Sequence, residues 1–262
     1  MDSTLFSLGI SILLAWAGYY AIYWFLFGRE GKEKAIAGFE KVAIGAVLFG
    51  LALASQYIIA LGANIYAQMA NMTISVPLGD PTAELKYAYN VYHAYFSNAT
   101  TDLGIFFGIF AVTNSLPFVQ GYGMALIQVG GPVLTALSTI LILSGTYAAA
   151  SLMAMGWAPL AALGAVGVAY ERTRGIGSFA LSLASVLPPT LAIGAESISN
   201  AVPPSALEWP SGLSAALTAG LTNIGNLITL AMYLSVLGIV LSAVVYGFSR
   251  IFDEAGHHFA LE

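Results

Sequence analysis

The chain has 262 residues, of which 58% are hydrophobic and 8% are charged. Soluble domains carry about 25% charged residues, so this composition excludes a water-soluble globular fold and predicts a membrane protein with several spans. The net charge of −5 excludes a large basic surface for nucleic acid, and the lack of cysteine excludes disulfides and thiolate metal sites.

Seven apolar segments approach the roughly 20 helical residues that cross the hydrocarbon core of a bilayer. The predicted spans are 5–28, 42–63, 103–127, 132–152, 155–170, 177–199 and 213–248. We expect the first to be retained, because it follows an N-terminus without positive charge and is longer than the apolar core of a signal peptide. The sequence thus predicts an all-α bundle of about seven transmembrane helices, forming one transmembrane domain over residues 1–262. A re-entrant pair made by the third and fourth segments is the alternative.

Lysine and arginine concentrate in the cytoplasmic loops of membrane proteins. All but one of these side chains follow the first, fifth or seventh predicted span: Arg29, Lys32, Lys34, Lys41, Arg172, Arg174 and Arg250. With seven spans and the N-terminus outside, all of them lie inside, and only Lys86 lies outside. We therefore expect a multi-pass protein of the cell membrane with an external N-terminus and a cytoplasmic C-terminus.

The one long loop of this topology, residues 64–101, is predicted to be extracellular. Asn71 and Asn98 each begin an Asn-X-Thr pattern within it. This pattern is the acceptor for N-linked glycosylation. We therefore predict that both asparagines carry glycans on the outer surface.

Aromatic residues in this loop indicate a helix. One helix face is formed by Leu85, Tyr89, Tyr92 and Phe96. We expect an interfacial helix with its tyrosines at headgroup level. Stacking of the rings on single-stranded nucleic acid is the alternative, and Lys86 is the sole nearby cation to support it.

Two acidic residues lie close to the outer ends of predicted spans. Asp102 precedes the third span, and Glu196 lies near the end of the sixth. Ionisable groups within spans are costly and often functional, but this position predicts hydrated interfacial groups. The functional alternative is an acid at an external mouth that recognises or couples a transported solute.

Neutral polar residues recur at helical spacing in the third and seventh segments. The set comprises Asn114, Gln128, Ser214, Thr218, Thr222, Asn226 and Thr229. Such faces let helices approach closely and share hydrogen bonds, or they line a water-filled pore. The sequence leaves both interpretations open.

A double proline, Pro188-Pro189, lies about midway along the sixth span. Proline removes a backbone donor and clashes with the preceding helical turn, so we expect the helix to kink or unwind around residues 184–189. Thr190, Ser185 or water would then bind the freed carbonyl groups. The break is interpreted as a packing kink or as a gate.

Several motifs are missing. The sequence has no Gly-x-x-x-x-Gly-Lys-Ser/Thr phosphate loop, no nucleophile elbow and no paired acids at metal-ligand spacing within the spans. We therefore expect no enzymatic activity, no cofactor and no metal site, with energy supplied by a partner or a gradient. Glu254 and His258 have the spacing of a helical metal pair, but a solvated cytoplasmic tail is the favoured interpretation.

The seven-span arrangement, with its external acceptor patterns and its proline-containing sixth span, resembles the polytopic membrane subunit of the archaeal Ced DNA-import system. That family is similar to the polytopic inner-membrane subunit of bacterial type IV secretion systems. The resemblance covers the arrangement from Leu5 to Arg250. It includes the segment Glu171-Arg-Thr-Arg-Gly-Ile-Gly177, which leads into the Pro188-Pro189 span.

This resemblance implies a membrane channel component for the import of single-stranded DNA. It also implies a separate cytoplasmic ATPase and small pilin-like membrane subunits as partners. A pore made by several copies is then expected, so we predict a homo-oligomer surrounded by membrane lipid. Two other classes remain: a self-contained small-molecule or ion carrier that uses Glu196, and a membrane assembly scaffold without a conduit.

Overall fold

The computed structural model describes residues 3–69, 76, 78–115, 120–207 and 213–261. These residues form α-helices and a short 3₁₀ turn, with no strand among them. The elements are α1 (Ser3–Leu26), α2 (Gly28–Met69), α3 (Pro81–Ser115), α4 (Gln120–Ala154), α5 (Trp157–Val168), α6 (Arg174–Ala201), the 3₁₀ turn Pro204–Leu207, and α7 (Leu213–Leu261). The predicted all-α architecture is confirmed.

Five of the described helices contain stretches that are long and apolar enough to cross a membrane. These stretches are Thr4–Leu26, Gly28–Ile65, Gly130–Ala154, Arg174–Ala201 and Ile224–His258. The chain is therefore a multi-pass helical membrane protein. The predicted fifth span corresponds to α5, which has 12 residues. Such a helix is about 18 Å long, shorter than the hydrocarbon core of about 30 Å.

Local chemistry explains where two of the helices begin. Gly28, the first residue of α2, has a φ of 61°, in the left-handed region that glycine adopts without strain. A single residue, Phe27, separates α1 from α2. The side chain of Asp80 caps α3, since its Oδ1 accepts from the backbone N–H of Thr82 at 3.2 Å. Pro81 follows as the first helical residue, where its missing N–H has no cost.

The chain divides into two compact units. Unit 1 comprises Met1–Lys86, Ser151–Ile193 and Val240–Glu262, and unit 2 comprises Tyr87–Ala150 and Gly194–Ile239. Pro188 and Pro189 therefore belong to unit 1, whereas Glu196 belongs to unit 2.

In unit 1, α5 runs in the same direction as α1 and opposite to α6. Gly9 of α1 lies against the carbonyl group of Ala158 at the start of α5. Near the end of α5, Tyr170 accepts a hydrogen bond from Trp16 Nε1 at 3.1 Å. Gly164 of α5 packs on the backbone of Leu181 of α6. The shared core comprises Leu13, Leu48, Phe49, Ala52, Ala161, Ala162, Ala165, Val168, Leu181, Ala184 and Phe252.

In unit 2, α3 runs opposite to α4. The rings of Tyr92 and Tyr147 lie 5.3 Å apart, and Phe96 packs on Gly145. Later residues of α3 thus contact earlier residues of α4, which defines an antiparallel helical hairpin.

The same part of α3 runs parallel to the end of α6. Tyr87 bonds to Glu196, and eight residues later Tyr95 donates to the carbonyl oxygen of Val202 at 2.6 Å. The two helices therefore run in the same direction.

Residues 85–96 are helical, within α3, but the tyrosines that we expected at headgroup level are largely covered by the chain itself. Tyr92 and Tyr95 are fully buried, and Tyr89 is half-buried. The buried positions include Glu84, Ala88, Tyr92, Tyr95 and Ala99, which recur at helical spacing. The tyrosines therefore pack within the chain. The extracellular location of residues 64–101 stays a prediction.

Candidate functional site

The double proline does not unwind α6. The helix continues from Arg174 to Ala201 with Pro188 and Pro189 inside it, and both prolines are buried. We expected a kink or an unwound segment around residues 184–189; the unwinding is wrong, and the kink stays a prediction. Proline lacks the N–H that would bond to the carbonyl group four residues earlier, so Pro188 deprives the oxygen of Ala184 of its helical donor.

A side chain of another helix supplies the missing donor. Gln56 of α2 donates from Nε2 to the carbonyl oxygen of Ala184 at 2.6 Å. Gln56 and Ala184 are both buried, at 7% and 1% exposure. A buried carbonyl group without a donor costs about 1–3 kcal/mol, and this bond removes that cost. The sequence analysis missed Gln56, although it is the only amide side chain within the predicted span 42–63.

Ser185, which we expected to bind a carbonyl group freed by the prolines, donates instead to a different acceptor. Its hydroxyl donates to the carbonyl oxygen of Leu181 at 2.8 Å, one turn earlier on α6. This back-bonding satisfies a buried hydroxyl within its own helix. Gln56 is therefore the side chain that supplies a donor to the carbonyl group of Ala184.

Glu196 forms a second polar contact, in unit 2. Tyr87 of α3 donates from its hydroxyl to Glu196 Oε2. Glu196 is 6% exposed and Asp102 is 3% exposed, so the expectation of hydrated interfacial acids is wrong for both. Because a buried carboxyl group is costly without hydrogen bonds, Tyr87 stabilises Glu196 in this position.

Tyrosine hydroxyls elsewhere in unit 2 bind backbone carbonyl groups. Tyr95 donates to Val202, where α6 ends, and Tyr147 donates to Leu234 of α7 at 2.7 Å. Burial raises the pKa of Tyr95, so its hydroxyl stays protonated as a donor at neutral pH. These bonds tie α3 to α6 and α4 to α7.

Most of the predicted polar face lies outside the described side chains. This applies to Asn114, Gln128, Ser214, Thr218 and Thr222. Asn226 and Thr229 are described, and both are exposed on α7. The chain therefore leaves these two polar groups available to water, lipid or another protein.

A groove of about 660 Å³ lies between α4 and α7 in unit 2. Its hydroxyl groups are bonded to their own helices: Thr135 donates to Gly131 at 2.9 Å, Thr139 to Thr135 at 2.8 Å, and Ser235 to Ala231 at 2.8 Å. Hydroxyls satisfied in this way do not require water. The groove can therefore face an apolar surface.

Positive side chains collect at one end of unit 1. The ammonium group of Lys41 lies 4.7 Å from the ring centroid of Tyr170. Arg174 Nη1 lies 3.0 Å from His257 Nδ1 near the end of α7. The start of α2, the turn between α5 and α6, and the end of α7 therefore meet, as expected for residues that share one side of a membrane.

Glu254 and His258, which have the spacing of a metal pair, gain no further ligand among the described residues. Glu254 and His258 are exposed. Across the described part of the chain, no group of three or more His, Cys, Asp or Glu side chains comes together.

The two predicted glycosylation sites differ in what the structure describes. Asn98 is half-buried within α3, and its Nδ2 donates to the carbonyl oxygen of Pro204 at 2.9 Å. A glycan on this nitrogen would require that bond to break. Asn71 lies outside the described residues. Glycosylation of both stays a prediction.

Glu84 is a buried acid that the sequence analysis missed. It is 1% exposed, and its Oε1 accepts from the backbone N–H of Gly79 at 2.7 Å. Burial raises the pKa of Glu84 to about 7; the Gly79 hydrogen bond opposes this shift, and the charge of Asp80 adds to it. The adjacent proline and aspartate in the sequence indicate the helix start, but not the burial of this carboxyl group.

No family model, curated protein or solved structure matches the chain. Its class is therefore defined by the fold alone, as a multi-pass helical membrane protein. Buried polar contacts, Gln56 with Ala184 and Tyr87 with Glu196, hold its helices together.

Proposed function

We propose that the chain is a non-enzymatic channel component of a DNA-import apparatus, similar to those of type IV secretion. In this proposal several copies assemble in the cell membrane, single-stranded DNA is the cargo, and a separate cytoplasmic ATPase and small pilin-like subunits are the partners. The cargo and these partners follow from the resemblance described above. The assembly of copies has a separate basis, in the length of α7.

The observation that carries the proposal is that α7 is longer than a membrane span. It has 49 residues without interruption, or about 73 Å of helix. Residues 213–249 include no Asp, Glu, Lys or Arg, and this uncharged part alone is about 55 Å long. A bilayer is about 40–45 Å thick with its headgroups.

The uncharged part of α7 that extends beyond the bilayer must be covered by protein. If Arg250 marks the cytoplasmic boundary, the surplus lies at the N-terminal part of α7. An apolar helix is stable beyond the bilayer only when other protein surfaces cover it. Further copies of the chain would provide that cover, which favours an assembled subunit over a self-contained carrier.

Several copies would also supply a neutral polar lining. Ser214, Thr218, Thr222 and Asn226 recur at helical spacing on α7, and Asn226 is exposed. A conduit for DNA normally offsets phosphate charge with Lys or Arg. This chain has few such residues, so a neutral lining of amides and hydroxyls is the form that we propose.

We further propose that the N-terminus is external and that five helices cross the membrane: α1, α2, α4, α6 and α7, each of which contains a long apolar stretch. Seven alternating crossings require the third and sixth helices to run in opposite directions. The contacts of Tyr87 with Glu196 and of Tyr95 with Val202 support parallel directions instead. If α3 lies outside the membrane and α5 does not cross it, the number of crossings falls by two, so every Lys and Arg keeps its predicted side.

A second candidate function is a secondary carrier that couples through Glu196. The observation in its favour is the burial of this acid and its bond to Tyr87, since buried acids at membrane depth often carry protons or substrates. An assembly scaffold without a conduit is the third candidate.

Uptake assays separate the channel from the carrier. In cells that hold variants in place of the native chain, we expect Asn226→Leu to reduce the uptake of labelled single-stranded DNA severalfold. The matched control is Ile228→Leu, an exposed apolar position on the same helix. Glu196→Gln should leave small-solute uptake by the purified, reconstituted chain unchanged. Proton-coupled solute uptake that Glu196→Gln abolishes would support the carrier and contradict the channel.

A further inference from the structure

A groove with apolar walls lies between α5 and α6 in unit 1, with a volume of about 800 Å³. Leu163 and Ile176 line it, at 59% and 76% exposure. Volumes of about 300–1,000 Å³ are typical of small-molecule sites. The groove is therefore large enough for a ligand that contacts both helices.

Glycine explains why the groove is not filled by side chains. A β-carbon on Gly164 would lie 2.7 Å from the backbone nitrogen of Leu181 and 2.9 Å from the carbonyl oxygen of Gly177. The two helices therefore meet backbone to backbone. Beside this contact, the flanking side chains point outward and leave a trough, of which Gly164 and Gly177 form part.

One end of the groove is polar and positively charged. Tyr170, Arg172 and Thr173 line it at the turn between α5 and α6. Lys41 does not line the groove, but its ammonium group lies 4.7 Å from the ring centroid of Tyr170, which does. A second positive charge is therefore close to this end. Glu171 also lines this end and places one negative charge there.

We propose that this groove binds an anionic phospholipid. The phosphate group lies against Arg172 and Lys41, and an acyl chain lies in the trough between Leu163, Ile176 and Ala180. The arrangement matches both parts of such a lipid: basic groups at a membrane boundary attract anionic headgroups, and the exposed aliphatic walls pack against hydrocarbon. A partner helix would fit the apolar walls, but it would not use the paired cations at one end.

Thermal unfolding of the full chain in detergent micelles tests this proposal. Phosphatidylglycerol should raise the melting temperature at lower concentration than phosphatidylcholine with the same acyl chains. Arg172→Gln should weaken the apparent affinity for phosphatidylglycerol about fivefold, the effect of about one surface charge. Glu171→Gln should strengthen it by a similar factor, because it removes a negative charge from the same end.

Two further variants and one probe define the site. Ala180→Phe, which fills the trough, should weaken binding without any change of charge. Arg250→Gln, on α7 and outside the groove, should leave it unchanged. Glycerol phosphate, which has the headgroup chemistry without acyl chains, should produce no shift.

Each contrary result overturns the proposal. Equal shifts with both lipids would indicate non-selective solvation of the apolar surface. Equal losses in Arg172→Gln and Arg250→Gln would indicate diffuse surface charge. Binding that survives Ala180→Phe, or a shift with glycerol phosphate as large as that with the lipid, would show that the trough holds no acyl chain.

Discussion

Gln56 of α2 donates a 2.6 Å hydrogen bond to the carbonyl oxygen of Ala184, the acceptor that Pro188 leaves without a helical donor. This bond supplies a donor to the carbonyl group that Pro188 frees, and α6, with both prolines inside it, continues as a helix to Ala201. It also joins two apolar helices by a buried polar contact. The prolines and Gln56 therefore form one feature of unit 1.

Loss of the Gln56 side-chain donor should destabilise the protein only when Pro188 is present. Gln56→Leu should lower the free energy of unfolding by about 1–3 kcal/mol, because it leaves a buried carbonyl group unsatisfied. In a Pro188→Ala background, residue 188 regains its N–H, and the same substitution should cost much less. Unfolding of the four chains in detergent measures this coupling.

Ser55→Ala is the matched control for this cycle. Ser55 is buried beside Gln56, but its hydroxyl donates to Ala52 within α2. Its effect should be equal in both backgrounds. A Gln56→Leu cost that is identical with proline and with alanine at position 188 would refute the compensation.

The backbone contact between α5 and α6 should be intolerant of a single added methyl group. Gly164→Ala places a β-carbon 2.7 Å from the nitrogen of Leu181, so the helices must separate, at a cost of about 1–3 kcal/mol. Gly175→Ala is the control on α6, since no atom lies within 4 Å of its β-carbon. That change should be neutral or stabilising, because alanine favours helix by up to about 1 kcal/mol. Similar effects of the two substitutions on the melting temperature would show that the contact is loose.

Glu84 should make the protein less stable as the pH rises. Its pKa is raised from 4.5 to about 7 in the folded chain, so between these values the folded chain keeps a proton that the unfolded chain has lost. Stability then falls with increasing pH across this window, by a total of about 3 kcal/mol. Glu84→Gln keeps an acceptor for Gly79 and should remove this dependence.

The measurement is the free energy of unfolding at pH 4, 5, 6, 7 and 8, in steps of about one unit across the titration of Glu84. Glu33→Gln provides the control, because Glu33 is an exposed acid of α2. An unchanged pH profile in Glu84→Gln would contradict the assignment.

Single cysteines should report the topology, since the native chain has none. Ser97→Cys should react with an impermeant reagent from outside, and Thr173→Cys only from inside. Ser115→Cys, at the end of α3, distinguishes a topology of five crossings from one of seven. With five crossings α3 lies outside the membrane and this cysteine is not labelled from inside, whereas seven crossings would expose it there. Labelling of Thr173→Cys from outside would reverse the orientation.

Local sequence patterns predicted some of the helices well, but the third and fourth predicted spans were wrong. The predicted span 103–127 is divided between α3, which ends at Ser115, and α4, which begins at Gln120 and contains Pro132. The sixth span was expected at 177–199 and occurs as Arg174–Ala201, because hydrophobic length and turn residues are local signals. The contacts that carry the site were missed because they join distant residues. Gln56 was visible as a lone amide, yet only the fold shows that it reaches Ala184. Similarly, the period of Tyr92 and Tyr95 indicated a helix but not the face that is buried.

The central claim is that copies of this chain assemble around α7. Its most direct test is the mass of the lipid-reconstituted protein, combined with disulfide formation by Asn226→Cys and, as a control, by Leu14→Cys on the exposed surface of α1. We predict a ring of several copies, cross-linked through Asn226→Cys but not through Leu14→Cys. A monomer that neither cysteine cross-links would contradict the account.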